Sequence, residues 1–169
     1  MIMDKKELRK WAKAQGKLRK ACSQNVIKEL RASEIYKQAH NILIFYPLEG
    51  EVDLLELLDD KDKNFYLPRI EGKKLLCCPF EKGDELCFSC FKTQEPVSDE
   101  VEKNQIDLAI IPALCCDKNN YRLGYGGGFY DRFLVGFSGK KVVCLPKELI
   151  VETIYPDEFD VPVDFVFCV

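Results

Sequence analysis

Hydrophobic positions divide the chain into two regimes. Near the start, Leu8, Trp11, Leu18 and Cys22 recur at helical spacing, with Gln15 in the same stripe. Lys6, Lys10, Lys13, Lys17 and Lys20 take the opposite face. This spacing predicts an amphipathic helix over residues 4–21. Lys5 and Arg9 are four apart, at the border of the two faces, where a cation reaches a ligand while its stem packs. Gly16 weakens the helix interior by about 1 kcal/mol relative to alanine and invites a bend. A second helical pattern covers Ser23 to Gln38.

Beyond residue 40 the pattern changes to short apolar runs. Asn41 to Tyr46 (closed by Pro47), Asn64 to Leu67, Lys74 to Phe80, Ile106 to Pro112, Lys141 to Leu145 and Val163 to Cys168 read as strands. Leu108 to Cys116 is continuously apolar and reads as a buried strand. Val52 to Leu58 and residues 129–135 read as short helices, and the polar stretch Lys82 to Glu102 as an irregular excursion. Strands alternating with helices predict an α/β protein. The expectation is one domain over residues 1–169, a three-layer fold with a mixed, mostly parallel sheet and an N-terminal amphipathic helix.

Composition narrows the function classes. The chain has 169 residues, 47% hydrophobic and 31% charged, a soluble globular balance. No apolar run approaches the roughly 20 residues that cross a bilayer, and the N-terminus lacks a signal-peptide apolar region. A cytoplasmic location without membrane contact is expected. Nine cysteines, most within apolar runs, read as reduced buried thiols. Cys87-Phe-Ser-Cys90 lacks the second ligand pair of a structural zinc site. His40 is the single histidine, and no Gly-x-Ser-x-Gly elbow is present, which disfavours nucleophilic hydrolase chemistry. The net charge of −3 conceals an asymmetry, because residues 5–20 hold eight Lys or Arg against one acid, Glu7. That lysine face reads as solvated surface; with no interleaved aromatics, nucleic acid is not an expected partner.

Candidate chemistry concentrates in Arg122-Leu-Gly-Tyr-Gly-Gly-Gly-Phe-Tyr-Asp131, where four glycines fall between Gly124 and Gly128. Glycine admits positive φ and lets main-chain N–H groups approach a ligand. A run of such groups ahead of a helix makes an anion cradle. Arg122 supplies a cation at one end, and Asp131 a metal-ligand candidate at the other. Phe129 stands where the Rossmann fingerprint needs glycine, and no Gly-Lys-Ser/Thr closes a Walker loop.

The longer segment from Asp107 through Pro112 and Asp117 to Asp131 resembles the signature of the 5-formyltetrahydrofolate cyclo-ligase family, also called methenyltetrahydrofolate synthetases. Lys5-Lys-Glu-Leu-Arg9 is similar to that family's N-terminal motif, and Asp160-Val-Pro-Val-Asp164 to its C-terminal one. The resemblance implies ATP- and Mg²⁺-dependent closure of 5-formyltetrahydrofolate to 5,10-methenyltetrahydrofolate, releasing ADP and phosphate, in a monomer. It implies catalytic roles for Lys5, Arg9 and Arg122. It assigns ATP contacts to Lys5, Lys6, Glu7, Leu8 and Arg9, and to Arg122, Leu123, Gly124, Tyr125, Gly126, Gly127, Gly128, Phe129 and Tyr130. Substrate contacts fall on Arg9, Tyr46, Glu51, Tyr125, Gly126, Gly127, Gly128 and Phe129, and Mg²⁺ on Asp131 and Asp160. The chain departs from the pattern at Phe159, where many members carry histidine. Two other readings remain beside it: another ATP-using ligase or phosphotransferase on this scaffold, and a nucleic-acid binder using the lysine face.

Overall fold

The computed structural model describes residues 3–169, and its N-terminal region is four helices where the pattern predicts two. α1 (Lys5–Lys13) opens with a capping box. The Asp4 carboxylate accepts from the Glu7 N–H at 2.8 Å, and the Glu7 carboxylate accepts from the Asp4 N–H at 3.0 Å. The helix stops at Ala14, and α2 (Gly16–Ala21) starts afresh. The break lies where two backbones touch. A Cβ on Gly16 would stand 2.9 Å from the Gly50 Cα, closer than a side chain tolerates. Resetting the helix there rotates its buried face. Leu18, expected inside, is 38% exposed, and Arg19 takes its place at 2%. α3 (Ser23–Ala32) is followed by α4 (Glu34–Gln38) rather than continuing to Gln38. The Ser33 hydroxyl accepts from the Tyr36 N–H at 3.2 Å and caps the new helix.

The strands are β1 (Asn41–Leu43), β2 (Asn64–Glu71), β3 (Lys74–Pro79), β4 (Leu86–Phe88), β5 (Gln94–Pro96), β6 (Leu108–Ile110), β7 (Cys115–Asp117) and β8 (Arg122–Leu123). After α5 (Phe129–Leu134) come β9 (Lys140–Leu145), β10 (Ile150–Val151) and β11 (Phe165–Cys168). The main sheet runs β11-β9-β6-β1-β2-β3. Its neighbours pair in parallel except β3, which returns antiparallel to β2 at the edge. Both faces are covered, so the strands are apolar on both sides. Ile42, Ile44, Leu108, Ile110, Val142 and Cys144 pack with Val26, Ile27 and Leu30 of α3. Leu43, Ala109, Ile111, Val143 and Leu145 face the opposite core with Leu8 and Ala12 of α1 and Phe133 and Leu134 of α5. The expected α/β three-layer architecture is therefore present.

Four local readings need correction. The apolar run Leu108 to Cys116 is two strands, β6 and β7, separated by the irregular residues 111–114 and belonging to different sheets. Residues 82–102 contain the β4–β5 hairpin. Arg69 of β2 anchors it by donating to the carbonyls of Pro96 (3.2 Å) and Ser98 (2.6 Å), and the buried Glu95 carboxylate accepts from the Ile70 N–H (2.9 Å). Val52 to Leu58 forms only a 3₁₀ turn, Leu55–Asp59. All nine cysteines are free, but Cys87, Cys90 and Cys168 are exposed rather than buried. No helix among the described residues is long and apolar enough to cross a membrane.

The strand order marks a candidate ligand position. β1 is followed in the sheet by β2 on one side, while β6 lies on its other side. Open α/β sheets bind ligands beyond the carboxyl ends of strands at such a reversal. Here that position is reached by the residues after β1, up to Tyr46 and Glu51, and by those after β6, at Ile111 and Pro112.

Candidate functional site

Arg122 reaches this position from β8. β8 pairs antiparallel with β7, and the arginine is 5% exposed. Its Nη1 donates to the Pro112 carbonyl at 2.9 Å, just beyond the end of β6. Its Nη2 lies 3.8 Å from Asp131 Oδ2, and its guanidinium sits 5.3 Å from the Tyr130 ring centroid. Its Nε is buried without a hydrogen-bond partner among the described residues. A buried donor left unpaired is costly and marks a place where an anion would be stabilised. The loop thus doubles back, bringing together the cation and the carboxylate that end the glycine segment in sequence.

Gly126 and Gly128 have φ of 109° and 73°, backbone that side chains rarely adopt. They carry the loop over Arg122 and leave Tyr125, Gly126 and Gly127 exposed at its crest. α5, which the pattern offered as an anion-binding helix terminus, has only six residues. Charge for an anion comes instead from side chains. The Arg9 Nε donates to the Gly124 carbonyl at 3.0 Å, and a Cβ on Gly126 would stand 3.7 Å from the Arg9 Cζ. One turn earlier, the Lys5 ammonium meets Asp160 Oδ2 at 2.6 Å and Asp157 Oδ2 at 3.4 Å. Partial burial alone would lower the Lys5 pKa, but Asp160 and Asp157 outweigh it and leave it raised.

The two carboxylates expected to hold metal are neighbours. Asp131 Oδ1 accepts from the Val161 N–H at 3.2 Å, next to Asp160 in the chain. Burial raises the Asp131 carboxyl, the Arg122 cation opposes that, and the Asp160 charge adds to it. Among the described residues no group of three or more His, Cys, Asp or Glu side chains converges as a metal cage. A pair of carboxylates fits Mg²⁺, which commonly takes one or two protein carboxylates and completes its shell with water and phosphate.

Near the tyrosines of the glycine segment stands Glu51, 7% exposed. Its carboxylate accepts from the Leu48 N–H at 2.7 Å. Burial raises its pKa, with that N–H and the Arg19 cation pulling the other way. Tyr125 and Tyr130 lie close enough to Glu51 for its charge to act on both phenols. Tyr46 follows β1 and is half-buried. Phe129 packs edge-on against Phe91 of the hairpin, centroids 5.4 Å apart, with the Arg132 guanidinium 4.9 Å from its ring centroid. Leu123 and Leu8 belong to the core at 1% and 3% exposure, Glu7 is committed to its cap, and Lys6 points to solvent. Those four side chains do not converge on the loop, so any ligand contact from Leu8 and Leu123 would come from backbone.

Sequence reasoning missed Arg19, Phe91 and Asp157. Arg19 Nη1 donates to Ala12 O (2.7 Å) and Leu114 O (3.0 Å), Nη2 to Lys13 O (3.4 Å) and Nε to Gly50 O (2.8 Å). It closes the carbonyl end of α1 and ties it to the loop that carries Glu51. No helical stripe signals it, since it faces inward only after the reset at Gly16. The spacing of Asp157 and Asp160 was visible but carried no partner until α1 docked.

The α/β sheet carries a glycine loop with Arg122 and Arg9 at its switch point and two carboxylates nearby, an arrangement open to an anionic ligand. Comparison with known proteins makes this specific. Residues 4–169 match the 5-formyltetrahydrofolate cyclo-ligase family, and the chain belongs to that family. It is 32% identical over 136 residues to the 5-formyltetrahydrofolate cyclo-ligase of Escherichia coli strain K12, covering 73% of this chain and 75% of that one. The counterpart from Haemophilus influenzae is 31% identical over 140 residues, covering 75% and 74%. Among solved structures, the 5,10-methenyltetrahydrofolate synthetase of Aquifex aeolicus superposes with a TM-score of 0.86 at 30% identity, covering 98% of this chain and 90% of that one.

Proposed function

We propose that the chain catalyses ATP-driven ring closure of 5-formyltetrahydrofolate to 5,10-methenyltetrahydrofolate, with release of ADP and phosphate. The observation that carries this reading is the buried Arg122, whose Nε has no partner among the described residues, beneath the glycine loop where Arg9 and Lys5 also converge. Membership of the cyclo-ligase family supplies the reaction class. A formamide oxygen is a poor leaving group. Transfer of the γ-phosphoryl group to that oxygen converts it into phosphate. The folate N10 then attacks the activated carbon, phosphate departs, and the N10 proton is lost. Such transfer depends on alignment and charge neutralisation more than on a side-chain nucleophile.

Each residue then has a task. Arg122, Arg9 and Lys5 hold and neutralise the phosphates, and the Gly124–Gly128 backbone shapes the cradle. Glu51, held by Leu48 N–H, hydrogen-bonds the N–H groups of the pterin, with Tyr46, Tyr125 and Phe129 beside its rings. Asp131 and Asp160 would hold Mg²⁺, which supplies charge neutralisation for the phosphates when bound. With Asp160 engaged as a metal ligand, the Lys5 ammonium, now paired with it at 2.6 Å, would be available to a phosphate.

The direct test mixes the protein with MgATP and 5-formyltetrahydrofolate and follows the absorbance of the methenyl product together with ADP release. ATP hydrolysis stimulated by another small acid, and not by the formyl folate, would favour a different ligase on the same scaffold. For the metal role, Asp131→Asn is expected to raise the Mg²⁺ concentration for half-maximal rate by about tenfold. A wild-type Mg²⁺ titration in that variant removes Asp131 from the metal site.

A further inference from the structure

Phe159 presents an apolar ring to solvent beside the proposed phosphate site. It is 75% exposed, the highest value among the large exposed hydrophobic side chains described, and it has no aromatic partner among the described residues. Its neighbour in the chain is Asp160, the carboxylate that Lys5 grips at 2.6 Å. The segment that carries it is held from several sides. Asp157 Oδ1 accepts from the Phe159 N–H at 2.9 Å, and Asp160 Oδ2 accepts from the Asp157 N–H at 2.9 Å. The Lys5 ammonium joins Asp157 and Asp160 to α1. At the loop's other end Tyr155, itself 39% exposed, adopts φ of 56° and donates its N–H to Thr153 Oγ1 at 2.9 Å. An aromatic ring that packs on nothing, fixed next to a cluster of phosphate-directed charges, suits a flat aromatic ligand attached to those phosphates.

We infer that Phe159 is the platform on which the base of ATP stacks. The inference rests on the ATP-dependent reading above and adds a residue to it. Under that reading Lys5, Arg9 and Arg122 take the phosphates, and Phe159 is next in the chain to the carboxylate that Lys5 holds. The loop of residues 155–160 is joined to Lys5 through Asp157 and Asp160, so its ring stands beside the phosphate-directed charges and suits the base that those phosphates carry. Stacking needs a π-face and little hydrogen-bond readout, so it favours large bases over small ones. Phe159 therefore sets affinity for the base and a preference for purine over pyrimidine nucleotides.

The test separates base from phosphate. Calorimetric titrations with MgADP and with tripolyphosphate are run on the wild type, Phe159→Ala and Phe159→Tyr. Phe159→Ala is expected to weaken MgADP binding by about tenfold, to leave tripolyphosphate binding as in the wild type, and to shrink the preference for ADP over CDP. Phe159→Tyr keeps the ring and retains MgADP affinity. In Phe159→Trp, MgADP quenches indole emission beyond any change that Trp11 gives in the wild type, and tripolyphosphate does not. Unchanged MgADP affinity in Phe159→Ala overturns the platform. So does an equal loss for tripolyphosphate, which would make the residue a support for the loop. A changed oligomeric state with unchanged nucleotide binding would assign the ring to a second copy of the chain instead. If the wild type itself fails to bind MgADP, the ATP-dependent reading falls first and this inference with it.

Discussion

Arg122→Gln is expected to lower kcat/KM for ring closure by roughly a thousandfold, the scale seen when a preorganised cation or donor is removed from a phosphoryl-transfer or oxyanion site. The guanidinium is buried at 5% exposure and reaches Pro112 O and Asp131 while its Nε stays unpaired. Glutamine can replace one of those contacts but not the charge. Arg122→Lys should recover little, because an ammonium cannot span the same set of directions as the planar fork. Stability falls as well, since Asp131 is left part-buried without its cation. The double variant Arg122→Gln with Asp131→Asn separates the two effects. It should regain melting temperature while staying inactive. Steady-state kinetics with circular dichroism would check this, and a loss smaller than about tenfold in a folded Arg122→Gln removes the residue from the phosphate site.

The second large effect concerns the scaffold. Arg19→Leu is expected to destabilise the protein by about 3 kcal/mol, because it leaves four buried or half-buried carbonyls without their shared donor. For a chain of this size that corresponds to a drop in melting temperature of roughly 10 °C. The carbonyls of Ala12 and Lys13 lie at the end of α1, and Gly50 precedes Glu51. The helix that carries Lys5 and Arg9 and the loop that carries Glu51 are thus joined by one side chain. KM for both ATP and folate should therefore rise in the variant below its melting transition. Differential scanning calorimetry decides the first part; a melting temperature within about 2 °C of wild type would mean that water replaces the guanidinium without loss.

Much of the architecture was legible before folding was considered. Ile42, Leu108 and Val142 sit in short runs that are apolar at every position, the mark of strands covered on both faces, and those runs became the parallel centre of the sheet. Arg122, the glycines and Asp131 stood out because turns, cradles and ligands draw on distinctive residues. The errors came where local pattern and tertiary contact disagree. Residues 4–21 have continuous helical spacing, yet the close approach of Gly16 to Gly50 broke the helix and exchanged Leu18 for Arg19 in the interior. Leu108 to Cys116 is uniformly apolar whether it forms one strand or two, so periodicity could not place the break at residues 111–114, where Arg122 bonds the Pro112 carbonyl.

Alone, the sequence determined the three-layer α/β class, the identity of the glycine loop and the family whose motifs flank it. These depend on residue type and short-range spacing, which a one-dimensional string contains. Only the tertiary structure decided that Lys5 meets Asp160 across 155 residues and that Arg122 turns back on Asp131. The same holds for Arg19, which clasps α1 to the loop before Glu51. Those are pairings of charge with charge or with orphan carbonyl. Each is set by which surfaces the hydrophobic core brings together, and no local pattern encodes that choice.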